Sequence, residues 1–442
     1  MQNMQYFPIF LFLILMIISS SLNTSINTKN EKANNLRLLQ EQKEKNKFCF
    51  ILLHDESSTY DKNFYDSAKK ACEDLGVEPI IKTDVPESEE CYNIAKELGE
   101  KGCKGIFADS FGHEDYLIRA AKELPKVQFA HATGTKAHTE KLSNFHNAFS
   151  SIYEGRYITG VAAGMKLNDM IKKGDIKKEE AKVGYIGAFP YAEVVSGYTA
   201  FFLGVRSVCD FVNMTVRYTN SWYDEKGEAK IAEQLIDEDK CKLISQHADS
   251  QGAPMVCENK GIPNSCYNIE NKELTKSYLI STRINWYIYF KYFINHTLNG
   301  EAMGYDWIGN LSDGSIEVFP ASSIAAPNTQ EAIDRAIKDL KEGKLKVFNI
   351  STFTVGGQKI TSYKADVDSD ADFTGDTEVI SDGYFHESEY RSAPYFDLRI
   401  DGIKEIIDDD SEPSIFDGNN KIYIYLSLAF FILLLLFILI FV

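Results

Sequence analysis

Aromatic rings and carboxylates recur together at a few places in this chain. In NSWYDE (220–225), Trp222 and Tyr223 sit beside Asp224, directly after the run NMTVRYT (213–219). HDESSTYDKNF (54–64) follows FCFILL, DSFGHEDY (109–116) follows GIFA, FPYAE (189–193) follows KVGYIGA, and ADSQG (248–252) follows CKLISQH. A ring face gains dispersion and desolvation against a flat partner, and a carboxylate accepts hydrogen bonds from hydroxyl or N–H donors. Each residue also has a plainer use. Trp222 could pack a core, Asp249 could cap the helix that follows it, and Ser110 could cap one starting near Glu114.

Catalytic patterns are missing from the sequence. It has no glycine-rich phosphate loop, no Gly-x-Ser-x-Gly elbow and no His-Glu-x-x-His. His54, His113, His131 and His247 lack metal spacing and no Cys-x-x-Cys occurs, so neither a metal site nor a cofactor is expected. In DVDSDADFTGD (366–376), Asp366, Asp368 and Asp370 match the first three ligand positions of a calcium loop. Ala371 then stands where glycine is needed and Thr377 where glutamate is needed, so the run reads as a solvated acidic loop. Glu154 and Arg156 in YEGRY read as a structural ion pair. A formal net charge of −17 argues against nucleic acid as a partner.

The elements that must hold these residues alternate. FCFILL (48–53), EPIIK (78–82), GIFA (105–108) and VQFAHA (127–132) are separated by helical patterns at 61–75, 90–98 and 114–124. A second series runs KVGYIGAF (182–189), helix 192–208, NMTVRYT, helix 227–237, CKLISQHA (241–248) and SCYNIE (265–270). The long helix 151–167 joins the two, and YLISTRINWYIYFKYFI (278–294) leads back to the first. Such βαβ alternation implies α/β lobes with parallel sheets, whose ligands lie outside the carboxyl ends of the strands. The expected first lobe takes about 47–150 with 286–345, the second about 155–280, and 346–410 closes the fold.

Both ends read as targeting segments. Residues 1–21 resemble a secretory leader, 22–46 a polar tether, and 411–421 a linker to the apolar tail 422–442. That tail is long enough to cross a hydrocarbon core of roughly 30 Å, as an anchor helix or as a lipid-anchor signal. Eight cysteines, all between Cys49 and Cys266, suit an oxidising compartment, with buried free thiols as the alternative. Cys257 with Cys266 is the most local pairing. Sequons at Asn23, Asn213, Asn295, Asn310 and Asn349 are compatible with glycosylation. The expected location is the secretory pathway, at the cell surface or a lumenal face.

The series DSFGHEDYLIRAAKELPKVQFAHATG, YEGRYITGVAAG, VGYIGAFPYAEVVSGYTAFFLGVRSV, TNSWYDEKGEAKIAEQLID, ISQHADSQGA and INWYIYF resembles the basic membrane protein family. These are substrate-binding lipoproteins of purine-type ABC importers. The resemblance runs from about Lys47 to about Glu405 and implies a two-lobed type I periplasmic-binding fold closing on a purine nucleoside or base. It carries ligand contact onto Ser110 with Phe111, Phe189 with Glu193, Trp222, Asp249 and Trp286. In the first loop Ser58, Tyr60 and Asp61 are the candidate contacts, and the loop departs from the family pattern in having Asp61 where the family shows Asn or a near equivalent, which leaves the ligand preference open. Trp222 is thus expected to face the cleft, while Trp286 stands equally well as core or contact. The family's lipid-attachment cysteine is absent and the C-terminal tail stands in its place. A small-molecule ligand, a membrane anchor and a membrane transporter or receptor are the expected partners. Two other readings stay open: a surface antigen or adhesion protein on a decayed scaffold, and a nucleoside-processing enzyme using Asp55, Asp61 or Asp249.

Overall fold

Short β-branched and aromatic runs, each followed by a helix with an apolar stripe, fold here into two parallel sheets. The structure is a computed structural model that describes residues 45–368, 370 and 374–407. The expected leader, nearly all of the tether, the 411–421 linker, the apolar tail and Asn23 lie outside the described residues. No described helix is long and apolar enough to cross a membrane.

The first lobe runs β1 (Lys47–Ile51), α1 (Thr59–Asp74), β2 (Glu78–Lys82), α2 (Glu89–Glu100), β3 (Cys103–Ala108), α3 (Glu114–Glu123), β4 (Gln128–Ala132) and β5 (Phe145–Ser150). Its strands lie in the order β2-β1-β3-β4-β5, all parallel. The chain then crosses through Ser151 into α4 (Ile152–Lys173). The second lobe repeats the pattern with β6 (Lys182–Gly187), α5 (Ala192–Val208), β7 (Asn213–Tyr218), α6 (Glu225–Asp237), β8 (Leu243–Gln246), α7 (Gly252–Lys260), β9 (Asn264–Tyr267) and β10 (Tyr278–Ile284). Their order is β7-β6-β8-β9-β10, again parallel. Strands covered on both faces tolerate no alternation, which is why KFCFI and CKGIFA read as nearly continuous apolar runs and are almost wholly buried. Helices α4 and α5 pack unusually close. A Cβ on Gly160 would lie 2.1 Å from the Phe201 carbonyl oxygen, and one on Gly204 2.0 Å from that of Tyr157, so only glycine fits.

Two further crossings complete the hinge. After β10 the chain returns as α8 (Trp286–Asn299), whose Phe290 and Phe293 pack on Phe50 and Phe48 of β1. β11 (Asp306–Gly309) extends the first sheet beside β5, and β12 (Ile316–Val318) then pairs antiparallel with β10 in the second. α9 (Thr329–Lys341) packs against α4. The expected 286–345 block is therefore divided, because β12 is bonded to the second sheet and α9 packs on α4. The closing segment spans both lobes. Ser392 donates from its N–H and its hydroxyl to Asp306 of β11 (2.8 and 2.6 Å), while β13 (Ile403–Ile406) adds a parallel strand to β7.

One disulfide, Cys49–Cys103, ties β1 to β3, and the other cysteines are buried thiols. This corrects the Cys257–Cys266 pairing. Cys257 packs among Ile231, Leu235 and Ile244, whereas the Cys266 thiol donates to Asn264 Oδ1 at 2.8 Å in a separate cluster.

Candidate functional site

The lobes meet across the carboxyl ends of their strands. The Thr59 N–H donates to the Asp249 carbonyl at 2.9 Å, the His54 and Tyr223 rings lie 5.5 Å apart, and Phe111 and Tyr191 5.7 Å. Between these contacts lies a narrow, largely enclosed cavity. The first lobe lines it with Leu53, His54, Tyr60, Asp61, Ser110, Phe111 and Thr133, the second with Glu193, Trp222, His247, Asp249 and Tyr267.

Sequence reasoning placed Tyr60, Asp61, Ser110, Phe111, Glu193, Trp222 and Asp249 at this site, and the structure brings them together. Ser58, Phe189 and Trp286 do not line the cavity. Ser58 caps α1, accepting from the Asp61 N–H and donating its hydroxyl to Asp61 Oδ2 at 2.5 Å, so it fixes Asp61 from behind. Phe189 stacks on Tyr191 at 5.1 Å and meets Trp222 edge-on at 5.3 Å, which braces the tryptophan. Trp286 is a core residue, 1% exposed, with its ring 4.4 Å from Phe64 and 5.7 Å from Phe107. Half-buried Trp222 is the tryptophan that faces the cleft.

The plainer readings of Ser110 and Asp249 are not what the structure shows. The Ser110 hydroxyl donates to Glu87 Oε1 at 2.6 Å, and the same oxygen accepts from the Gly112 N–H, which pins the loop that presents Phe111. At the start of α7 it is the Ser250 hydroxyl that accepts from the Gly252 N–H, leaving the Asp249 carboxylate only a long 3.5 Å contact from Asn268 Nδ2. Burial, then the Asp61, Glu228 and Glu193 carboxylates, push Asp249 well above the usual range, with Arg156 pulling the other way.

Asp109, passed over between GIFA and Ser110, turns out to organise the first lobe's wall. It is fully buried, its Oδ1 accepts from the Leu53 N–H at 3.1 Å, and its carbonyl accepts from the Tyr60 hydroxyl at 3.0 Å. Burial and the neighbouring Asp61 carboxylate raise Asp109 far above the ordinary carboxyl value. For Asp61 burial pushes up, but hydrogen bonds from His54 and Ser58 outweigh it and hold that carboxyl low. The two thus form an acid–carboxylate pair. His54, Thr133, His247 and Tyr267 were also missed. His247 bridges Tyr185 and Glu193 at 3.3 Å each, and burial with Arg156 nearby holds its ring neutral.

The expected Glu154–Arg156 ion pair does not form. Residues two apart on a helix point to different sides. Glu154 accepts from the Leu311 N–H at 2.8 Å on the hinge, where burial raises it to about 7. Arg156 donates to the Gln246 carbonyl at 2.8 Å and lies 3.6 Å over the Tyr267 ring. The carboxylates of Asp368, Asp370 and Asp376 gather together, and none of the three is among the residues that line the cleft.

Comparison with known proteins agrees with this geometry. Residues 49–351 match the family described as PnrA-like ABC transporter substrate-binding proteins, and the chain belongs to that family. A purine-binding protein of Brucella abortus is 38% identical over 201 residues, 45% of this chain and 53% of the relative. A protein of Haloferax volcanii named as a putative ABC transporter glucose-binding protein is 34% identical over 182 residues, 41% and 42% of the two chains. The matched stretches thus span about half of each relative. Among solved structures, a solute-binding protein of an ABC transporter system from Aeropyrum pernix superposes with a TM-score of 0.57, at 14% identity, covering 69% of this chain and 93% of that one. One from Conexibacter woesei gives 0.56 at 15%, covering 68% and 98%. At such identities they establish the two-lobed α/β periplasmic-binding fold.

Proposed function

We propose that this chain is an extracytosolic receptor that closes its two lobes on a purine nucleoside or free purine, held at a membrane by the apolar tail and served by a transporter partner. The observation that carries the reading is the composition of the cavity that both lobes line. The first lobe contributes the rings of Tyr60 and Phe111 and the second those of Trp222 and Tyr267, and Asp61, Glu193 and Asp249 add acceptors to the lining. Flat rings gain dispersion between aromatic faces, while a few placed polar groups fix orientation. The Brucella relative, named for purine binding, supports the same class of ligand.

A thermal-shift panel of nucleosides, free purines, pyrimidines and glucose tests it. A ligand at 100 times its Kd stabilises by about 2.7 kcal/mol. Stabilisation confined to purines is the expected result. A response to glucose alone would transfer the site to the sugar reading, no response would favour a decayed scaffold, and conversion of inosine or adenosine on chromatography would make it an enzyme.

A further inference from the structure

We propose that closing the lobes on a ligand takes up one proton at Asp249, so that capture by this cleft is proton-linked. The proposal rests on the cleft being the ligand site. Its geometric basis is that the contact between the Thr59 N–H and the Asp249 carbonyl sets Asp249 of the second lobe against the first turn of α1, where Asp61 lies. Asp249 is 4% exposed in this closed arrangement, and its carboxylate has no short hydrogen bond among the described residues. With the lobes apart the same group would stand in water, where a carboxyl titrates near its ordinary value of about 3.9.

The groups around Asp249 offer it little positive charge. From α1 come Asp61 and the Tyr60 hydroxyl, from α5 Glu193, and from α6 Glu228, whose carboxylate accepts from the Ser250 N–H at 3.1 Å. From the end of β9 comes Tyr267, and just after it Asn268. Arg156 on α4 is the cation that acts the other way; its Nη1 donates to the Gln246 carbonyl and its guanidinium lies over the Tyr267 ring, while Nε and Nη2 have no hydrogen-bond partner among the described residues. His54 lies 3.6 Å from Asp61, and His247 sits between Tyr185 and Glu193. Among the described residues no Lys or Arg lines the cavity. The N–H of Thr59 is spent on the Asp249 carbonyl rather than its carboxylate. Removing a carboxylate from water among other carboxylates favours its acid form, as the raised titration of Asp249 reflects. The proton comes from solvent and adds to a carboxylate oxygen, after which the O–H can donate to a ring nitrogen or hydroxyl of the ligand.

Calorimetry of the full chain with adenosine, at pH 7 in phosphate and in Tris, tests this. Expected is a binding enthalpy that differs between the buffers by the heat of about one proton taken up, with Kd weakening toward tenfold per pH unit from pH 5.5 to 7.5. In Asp249→Asn, at whatever affinity remains, the enthalpy should be buffer-independent and the pH profile flat. Buffer-independent enthalpy in the wild type, or unchanged proton uptake in Asp249→Asn, overturns the proposal. X-ray scattering without any ligand is the second arm and needs no purine. Acidification from pH 7.5 to 5 should compact the wild type, and Asp249→Asn should stay compact at both values. If no purine binds, the functional reading fails while scattering still decides, since a pH-invariant radius of gyration overturns the linkage.

Discussion

Replacing Trp286 with alanine removes a ring that is 1% exposed and lies within 6.1 Å of the rings of Phe64, Phe107, Phe149 and Phe290. Truncating such a core residue costs about 3–5 kcal/mol, or roughly 6–20 °C of melting temperature at about 2–4 °C per kcal/mol for a lobe-sized unit. The same change at Trp222 removes a half-buried ring that touches Phe189 and Tyr191 edge-on or tilted and otherwise faces the cleft. Its loss should cost about 1 kcal/mol of stability. Ring-on-base stacking is worth about 1–3 kcal/mol, so purine affinity should fall roughly 5- to 150-fold. Thermal melting and calorimetric titration of both variants at a temperature where each is folded separate the two effects. Lost affinity in folded Trp286→Ala, or unchanged affinity in Trp222→Ala, would refute the assignment of one ring to the core and the other to the cleft.

Buried groups away from the rings give further tests. The chain carries one disulfide and buried thiols at Cys72, Cys91, Cys209, Cys241, Cys257 and Cys266, so the denatured protein should titrate six thiols; a second bridge would leave four. Replacing Cys49 and Cys103 by serine opens a loop of sequence separation 54, which the chain-entropy argument values at about 4 kcal/mol in the first lobe, measured by denaturant unfolding. Glu387 is 1% exposed and burial raises it to about 8 from 4.5, so its folded form holds a proton that the unfolded chain releases. Stability from this group is therefore present below about pH 4.5 and falls as pH rises toward 8. Glu387→Gln should be more stable than wild type at pH 8 by up to about 3 kcal/mol and flatter with pH between 5 and 8, as read by melting curves across that range.

The architecture was legible because parallel strands buried on both faces leave unbroken apolar runs, and GIFA or KVGYIGA needs no tertiary information to be recognised. The strand-end rule then found the stretches that start each loop, and the family resemblance singled out Phe111, Trp222 and Asp249 within them. It failed where a side chain acts through a partner that is remote in sequence. Asp109 matters because its backbone carbonyl meets the Tyr60 hydroxyl, and Tyr267 because Arg156, on a different element, lies over its ring. Trp286 shows the opposite failure. It begins a helix after a lobe crossing, where a ligand contact is plausible from order alone, but α8 rotates that position under the floor of the first lobe and into its aromatic core. Nor did sequence distance settle the cysteines, since β1 and β3 become neighbours only when β3 lies down beside β1.

Because the ring faces come from opposite lobes, an open molecule can offer a ligand only half of its partners. The ligand's preference for the closed arrangement is then what drives closing, and it can shift the equilibrium by no more than the difference between its binding free energies to the two states. Direct lobe-to-lobe contacts at the mouth are few: the Thr59–Asp249 backbone hydrogen bond and the ring pairs Phe111–Tyr191 and His54–Tyr223. They are offset by the Asp61 carboxylate of one lobe approaching Asp249 of the other, a repulsion that proton uptake at Asp249 relieves. A planar ligand with N–H or hydroxyl donors answers both deficits together, filling the space between rings and neutralising the acceptors. The closing segment limits how far the lobes can part, since Ser392 holds it to β11 of the first lobe and β13 to β7 of the second. The same three crossings and one strap that make the hinge therefore also keep Tyr60 and Trp222 within reach of a single bound ring.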